Sequence, residues 1–210
     1  MMQSWWPLLL TLVIQAMAAM ALLTLPVIAP VVAQTLQVSP ALVGLYVSVT
    51  YAGAMVATLM GGATVARMGP IRVSQWGLVL CAVGLVLCAV PWLPVMVLGA
   101  VLIGLGYGPI TPASSHLLAR TTPKAQMSLV FSIKQTGVPL GSMLAGAIVP
   151  PMALLIDWQL SMLAVAALCL VCAGLSQGLR AELDSDRQAD ARIRWGSLIE
   201  PIRMLSLIHI

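Results

Sequence analysis

No aspartate or glutamate occurs before residue 157, and only six occur in the whole chain. The first five apolar runs therefore contain no carboxylate to act as a general acid or base or to ligate a metal. Cysteine is scarce as well. Cys81, Cys88, Cys169 and Cys172 all lie inside apolar runs. Cys169 and Cys172 have redox-motif spacing, but no βαβ pattern surrounds them and no polar group is placed to stabilise a thiolate. They read as packing residues. His116 and His209 stand apart from the cysteines, so no zinc site is expected, and neither metal nor cofactor. Ser142 follows Gly141 but has no intramembrane histidine to activate it, which excludes serine hydrolysis. These absences argue against an enzyme.

Charge is rare too, at 8% of residues, while 60% are apolar. That balance excludes a soluble domain. The net charge of +4 does not point to nucleic acid, because the basic residues are spread over short loops. No basic segment precedes Leu8, and the first apolar run is too long for a signal peptide. It reads as a first spanning helix anchored by Trp5 and Trp6.

Six apolar runs can be drawn, over residues 8–32, 42–65, 73–90, 95–118, 127–150 and 158–178, each about the ~17–25 residues that span a bilayer. Proline and glycine punctuate their ends, at Pro40, Gly69-Pro70, Pro91, Pro94, Pro123 and Pro150-Pro151. Residues 1–178 form one all-α membrane domain of six helices. Residues 179–210 form a charged, solvated segment with some amphipathic helix potential. Its apolar end, Leu205–Ile210, resembles sequencing-adaptor read-through.

The cations set the orientation. Arg67 and Arg72 lie between runs two and three, Arg120 and Lys124 between four and five, and five arginines in the tail. The alternate loops carry no Lys or Arg. By the positive-inside rule both termini are cytoplasmic, in a multi-pass protein of the plasma membrane, the inner membrane in a bacterium. A weak echo joins the two halves of the domain. Ser48 aligns with Ser132, Gly53 with Gly137, Gly62 with Gly146, and the Trp76 and Leu78 pair with Trp158 and Leu160. Helices one to three then repeat as four to six in inverted orientation, a transporter device with its site between the repeats.

The tenth cation, Lys134, sits inside run five. An ammonium in hydrocarbon costs several kcal/mol, roughly 2.5–3.5 on insertion scales, so it normally faces a bundle interior, a cavity or an opposite charge. It lies eleven residues past Pro123, ~16 Å along a helix at ~1.5 Å per residue, which is expected to bring it near mid-membrane. Gln135 follows it, then a small-residue surface of Gly137, Pro139, Gly141 and Gly146 suited to close helix packing. Tyr107, Thr111 and Ser114 form a polar stripe on run four, with Thr11 and Gln15 on run one and Tyr46 and Thr50 on run two. Lys134, Gln135, Tyr107, Thr111, Gln15, Tyr46 and Thr50 are the candidate substrate-binding residues. The plainer alternatives are hydroxyls bonded back to their own helices and a lysine whose stem snorkels to the cytoplasmic face.

The loop after run two reads Gly62-Ala-Thr-Val-Ala66-Arg67-Met-Gly69-Pro-Ile-Arg72. It resembles the signature loop of the major facilitator superfamily, G-x-x-x-D-R-x-G-x-x-R or K, with Ala66 where the acid belongs. Run four, Gly104-Leu-Gly106-Tyr107-Gly108-Pro-Ile-Thr-Pro112, resembles the family's glycine-rich fourth helix, though Ala100 stands where an arginine often begins it. The fifth run's GVPLGS departs from the family's antiport motif. The resemblance implies a gating loop in which Gly62 permits close helix approach, Gly69 makes the turn, and Arg67 and Arg72 anchor and gate. It further implies the amino-terminal six-helix half of a secondary transporter. Such a half works by alternating access on a small organic solute, with or without a co-transported ion, in a lipid bilayer, against a carboxy-terminal six-helix half absent from this chain. Lys134 points to an anionic solute. The alternatives are a self-contained six-helix transporter or subunit acting as an oligomer, and a non-transporting accessory protein.

Overall fold

The computed structural model describes residues 5–39 and 41–187. Helix α1, Trp5–Val27, ends one residue after Pro26, and a short helix α2, Ala29–Leu36, restarts with Pro30 in its first turn. The first apolar run is thus two helices rather than one. Proline cannot donate the hydrogen bond that would carry a helix through. Helix α3, Leu42–Met68, stops at Gly69, whose φ of 90° suits a residue without a side chain. Pro70 then opens α4, Pro70–Cys88.

The fourth span is α5, Leu93–Tyr107, and α6, Ile110–Thr121, joined at Gly108-Pro109. Pro112 has no N–H, so the Gly108 carbonyl loses its helical partner. The Thr58 hydroxyl of α3 lies 3.0 Å from that oxygen. The fifth span is likewise jointed. A 3₁₀ turn, Lys124–Gln126, leads into α7, Met127–Gln135, and Thr136 separates it from α8, Gly137–Leu155. Pro150 and Pro151 lie inside α8, where the sequence reading ended the span. The sixth span, α9, Trp158–Leu175, is capped by Asp157, whose Oδ1 accepts from the Trp158 N–H at 2.5 Å. A last helix, α10, spans Gln177–Leu183. Among the described residues, six spans are long and apolar enough to cross a membrane.

The heaviest packing joins span three to span four, followed by two to four and one to five in nearly equal measure, and then three to six. The one–five and four–two contacts are the pair that an inverted repeat requires. Gly53 shows the same correspondence. A Cβ there would lie 3.1 Å from the Val101 carbonyl of α5, and one on Gly137 would lie 3.1 Å from the Leu12 carbonyl of α1. The tryptophan echo fails, because Trp76 is 48% exposed and Trp158 3%.

Close approach on α3 belongs to Gly61, where a Cβ would meet the Pro112 ring at 2.8 Å, while Gly62 faces open space. Gly146 is open as well, whereas Gly141 packs directly on the Ala16 carbonyl. Helices α4 and α5 meet through two antiparallel glycine pairs seven residues apart. A Cβ on Gly77 would lie 2.6 Å from the Gly106 carbonyl oxygen, and one on Gly84 2.7 Å from that of Gly99.

Two residues of the charged segment after residue 179 are enclosed. Leu183 and Asp184 are buried, Leu183 against Ile71 and Leu117. After span six, Leu183 and Asp184 thus pack onto the bundle, while Ala181, Glu182 and Ser185–Arg187 are exposed.

Candidate functional site

On α7 the residues Val130 and Lys134 are the buried ones, four apart and so on one face. Val130 packs against Leu8 of α1 and Leu118 of α6. The same face carries Lys134 between those helices, where it is 1% exposed. Its Nζ donates to Ser115 Oγ of α6 at 3.4 Å and to Gln135 Oε1 at 3.3 Å. Both contacts are long and both acceptors are neutral. Among the described residues the ion pairs involve His116, Arg120 and Arg180, and none involves Lys134.

The neighbouring helices give the level of Lys134 in the bundle. Gly137 sits on the Leu12 carbonyl and Gly141 on that of Ala16, so α1 and α8 run parallel. Lys134 precedes Gly137 by nearly one turn and is level with the second turn of α1, one turn beyond the contact of Val130 with Leu8. That places it in the half of the bundle nearer the loop cations. Because its exposure is so low, the stem has not snorkelled to that end.

The other candidate residues divide. Gln15 is 2% exposed, and its Oε1 accepts no hydrogen bond among the described residues. It borders Gly137, a turn from Lys134. Gln135 and Thr111 are exposed and Tyr107 is half-buried. Tyr46 and Thr50 belong elsewhere. The Tyr46 hydroxyl donates to the Leu22 carbonyl at 3.5 Å, and Thr50 donates back to the Tyr46 carbonyl at 2.8 Å. Leu22 is ten residues past Leu12, about 15 Å farther along α1 at ~1.5 Å per residue. Tyr46 instead lines an apolar cavity of about 120 Å³, with Leu25, Leu36, Met96 and Ala100, at the opposite end. That volume is below the ~300 Å³ at which small-molecule sites begin. No single small solute touches both Lys134 and Tyr46. Ser114, from the predicted stripe, bonds back to the Thr111 carbonyl at 2.9 Å. The hydroxyl that reaches Lys134 belongs to Ser115, one position off that stripe.

At the cation-bearing end, Arg72 lies over the Trp76 ring, 5.8 Å from its centroid, and donates to Gln75 Oε1 at 3.4 Å. Gln75 Nε2 in turn contacts the Ala173 carbonyl, Ser176 Oγ and Gln177 Oε1 at 3.1, 3.2 and 2.9 Å, pinning span three to span six. Asp186 bridges His116 Nε2 at 2.8 Å and Arg120 Nη1 at 2.5 Å. Burial works to raise the Asp186 carboxyl, but the His116 hydrogen bond and the Arg120 charge outweigh it and hold the group below its ordinary range.

The sequence pattern described as Major Facilitator Superfamily matches residues 8–204. This chain belongs to the major facilitator superfamily. The hexuronate transporter of Bacillus subtilis (strain 168) is 26% identical over 156 residues, covering 72% of this chain and 36% of that protein. Two solved structures share the fold. The peptide transporter POT in complex with sulfate has a TM-score of 0.72 at 17% identity, covering 98% of this chain and 44% of the other. A mutant of POT in complex with alafosfalin gives 0.71 at 18%, covering 97% and 45%. The chain spans less than half the length of each of these proteins. A superfamily member with six apolar spans is an integral, multi-pass membrane protein, and its relatives are transporters.

Proposed function

We propose that the chain is the amino-terminal half of a secondary transporter that moves a small organic anion by alternating access, with Lys134 as the anion's charge partner. The observation that carries this reading is the state of Lys134, an enclosed ammonium with two long, neutral contacts and no acid paired with it among the described residues. A charge in a low-dielectric interior needs a counter-charge, and an anionic solute supplies one. Gln15 adds a buried acceptor without a donor, which suits a hydroxyl on the same solute. Gln135, Thr111 and Tyr107 lie on the exposed or half-buried side from which a solute would enter. A hydroxylated carboxylate such as a hexuronate, the solute named for the Bacillus relative, meets both demands.

In this reading both termini are cytoplasmic, and the loop of Arg67, Gly69 and Arg72 gates at that face. A second six-helix half completes the cavity. The test is uptake of labelled hexuronate into vesicles containing the two-half protein. Lys134→Met should abolish uptake with expression intact, and unchanged uptake would remove Lys134 from the site. Cysteine labelling should find the Arg67–Arg72 loop cytoplasmic and residues 34–39 outside. The reverse pattern would overturn the orientation.

A further inference from the structure

The start of α4 has an unmet demand that its own loop cannot fill. The first free N–H groups of a helix need acceptors, and an N-cap side chain usually supplies one. Here the N-cap is Gly69, which makes no side-chain cap. Pro70 has no N–H to satisfy, so the demand falls on Ile71 and Arg72. The family-like loop would carry an acid at residue 66, but this chain has Ala66 there. The turn is left with a helix N-terminus and two arginines, all positive.

The acceptor comes from beyond span six. Asp184 Oδ1 accepts from the Ile71 N–H at 2.8 Å, and its Oδ2 from the Arg72 N–H at 3.1 Å. Arg180 Nε stands 3.6 Å from the same carboxylate. The fit is close enough that any Cβ on Gly69 would collide with the Asp184 side chain. Two residues on, Asp186 grips His116 and Arg120 at the end of α6. Between them Arg120 Nη2 donates to the Leu183 carbonyl at 2.6 Å, and the Leu183 side chain is buried against Ile71 and Leu117.

We propose that Leu183–Asp186 is a clasp that supplies the turn between spans two and three with the acid residue 66 lacks. It ties the start of span three and the end of span four to the chain leaving span six. Asp184 is a positioning residue, acting through the α4 backbone. Motion of the chain beyond span six is thereby coupled to the Arg67–Arg72 turn. This inference is independent of the solute assigned to Lys134.

Hydrogen–deuterium exchange of the full chain in detergent tests it, read on a peptide covering residues 69–75. Asp184→Asn keeps the shape and one acceptor oxygen but removes the charge. It should speed exchange at Ile71 and Arg72 by about tenfold, because charge-assisted hydrogen bonds are the stronger kind. Asp184→Ala should speed it further, and Asp186→Asn should leave that peptide unchanged while loosening a peptide covering residues 113–121. Unchanged exchange at residues 69–75 in the Asp184→Asn protein would overturn the clasp. So would equal loosening throughout all six spans, which marks general destabilisation. Exchange in Asp184→Asn alone decides the matter if the alanine protein fails to accumulate.

Discussion

Two buried charges, Lys134 and Asp184, have almost opposite surroundings. Asp184 has two backbone N–H donors aimed at its two oxygens and a guanidinium beside them. Lys134 has two neutral oxygens at the outer edge of hydrogen-bond distance. A charge whose valences are filled by its own fold stabilises that fold, whereas one left short of partners costs stability and is retained for another reason. On the proposed reading, the difference separates a charge kept for the fold from one kept for a solute.

The comparison can be broken most directly at Lys134. In the two-half protein, Lys134→Met should abolish anion uptake while the melting temperature of the purified protein stays level or rises, since an uncompensated charge has been removed. A clear fall in melting temperature would place Lys134 with the structural charges. Lys134→Arg, keeping the charge but not the shape, should retain part of the uptake.

Asp184→Ala should do the reverse. Loss of a cap and of its charge-assisted bonds costs about 2 kcal/mol, measured as thermal stability in detergent. Uptake by the protein that remains folded should fall less than for Lys134→Met. A smaller effect is expected at Asp186, whose ion pairs are partly exposed, so Asp186→Asn should cost about 0.5 kcal/mol or less.

The smallest effect is with pH. The Asp186 carboxyl is held below its ordinary value, so its contribution is complete above the unfolded value of about 4. It is lost as the pH falls through the lowered folded value. The stability difference between the parent and Asp186→Asn should therefore shrink as the pH falls below about 4 and vanish only below the lowered folded value. A difference that persisted there would show that the carboxylate's charge is not what holds the segment.

Much of the fold was legible because hydrophobic length and loop charge are local properties. Six runs and their prolines sufficed for the six spans. Lys134 was legible for the same reason, as the one cation inside a run. Its level among the helices was not, because counting from Pro123 does not say which turn of α1 lies beside it. Gly61 and Gly62 are identical as letters, and only the position of Pro112 across the interface distinguishes them. Pro150 and Pro151 suggested a helix end, yet the helix continues to Leu155. Least legible was Asp184, since its partners lie 112 and 113 residues away. The vacancy it fills was nonetheless written in the sequence, at Ala66, Gly69 and Pro70.

The two glycine pairs between α4 and α5 act together as a vernier. Gly77 and Gly84 are separated by the same seven residues as Gly99 and Gly106, about two helical turns. Only one alignment brings both pairs opposite each other. Sliding either helix by a single residue would leave no glycine facing a glycine, and side chains would push the backbones apart at both points at once. A change in the length of the connecting turn at residues 89–92 can be absorbed in the turn itself. A one-residue insertion between Gly77 and Gly84 cannot, because it separates two marks that must be read together.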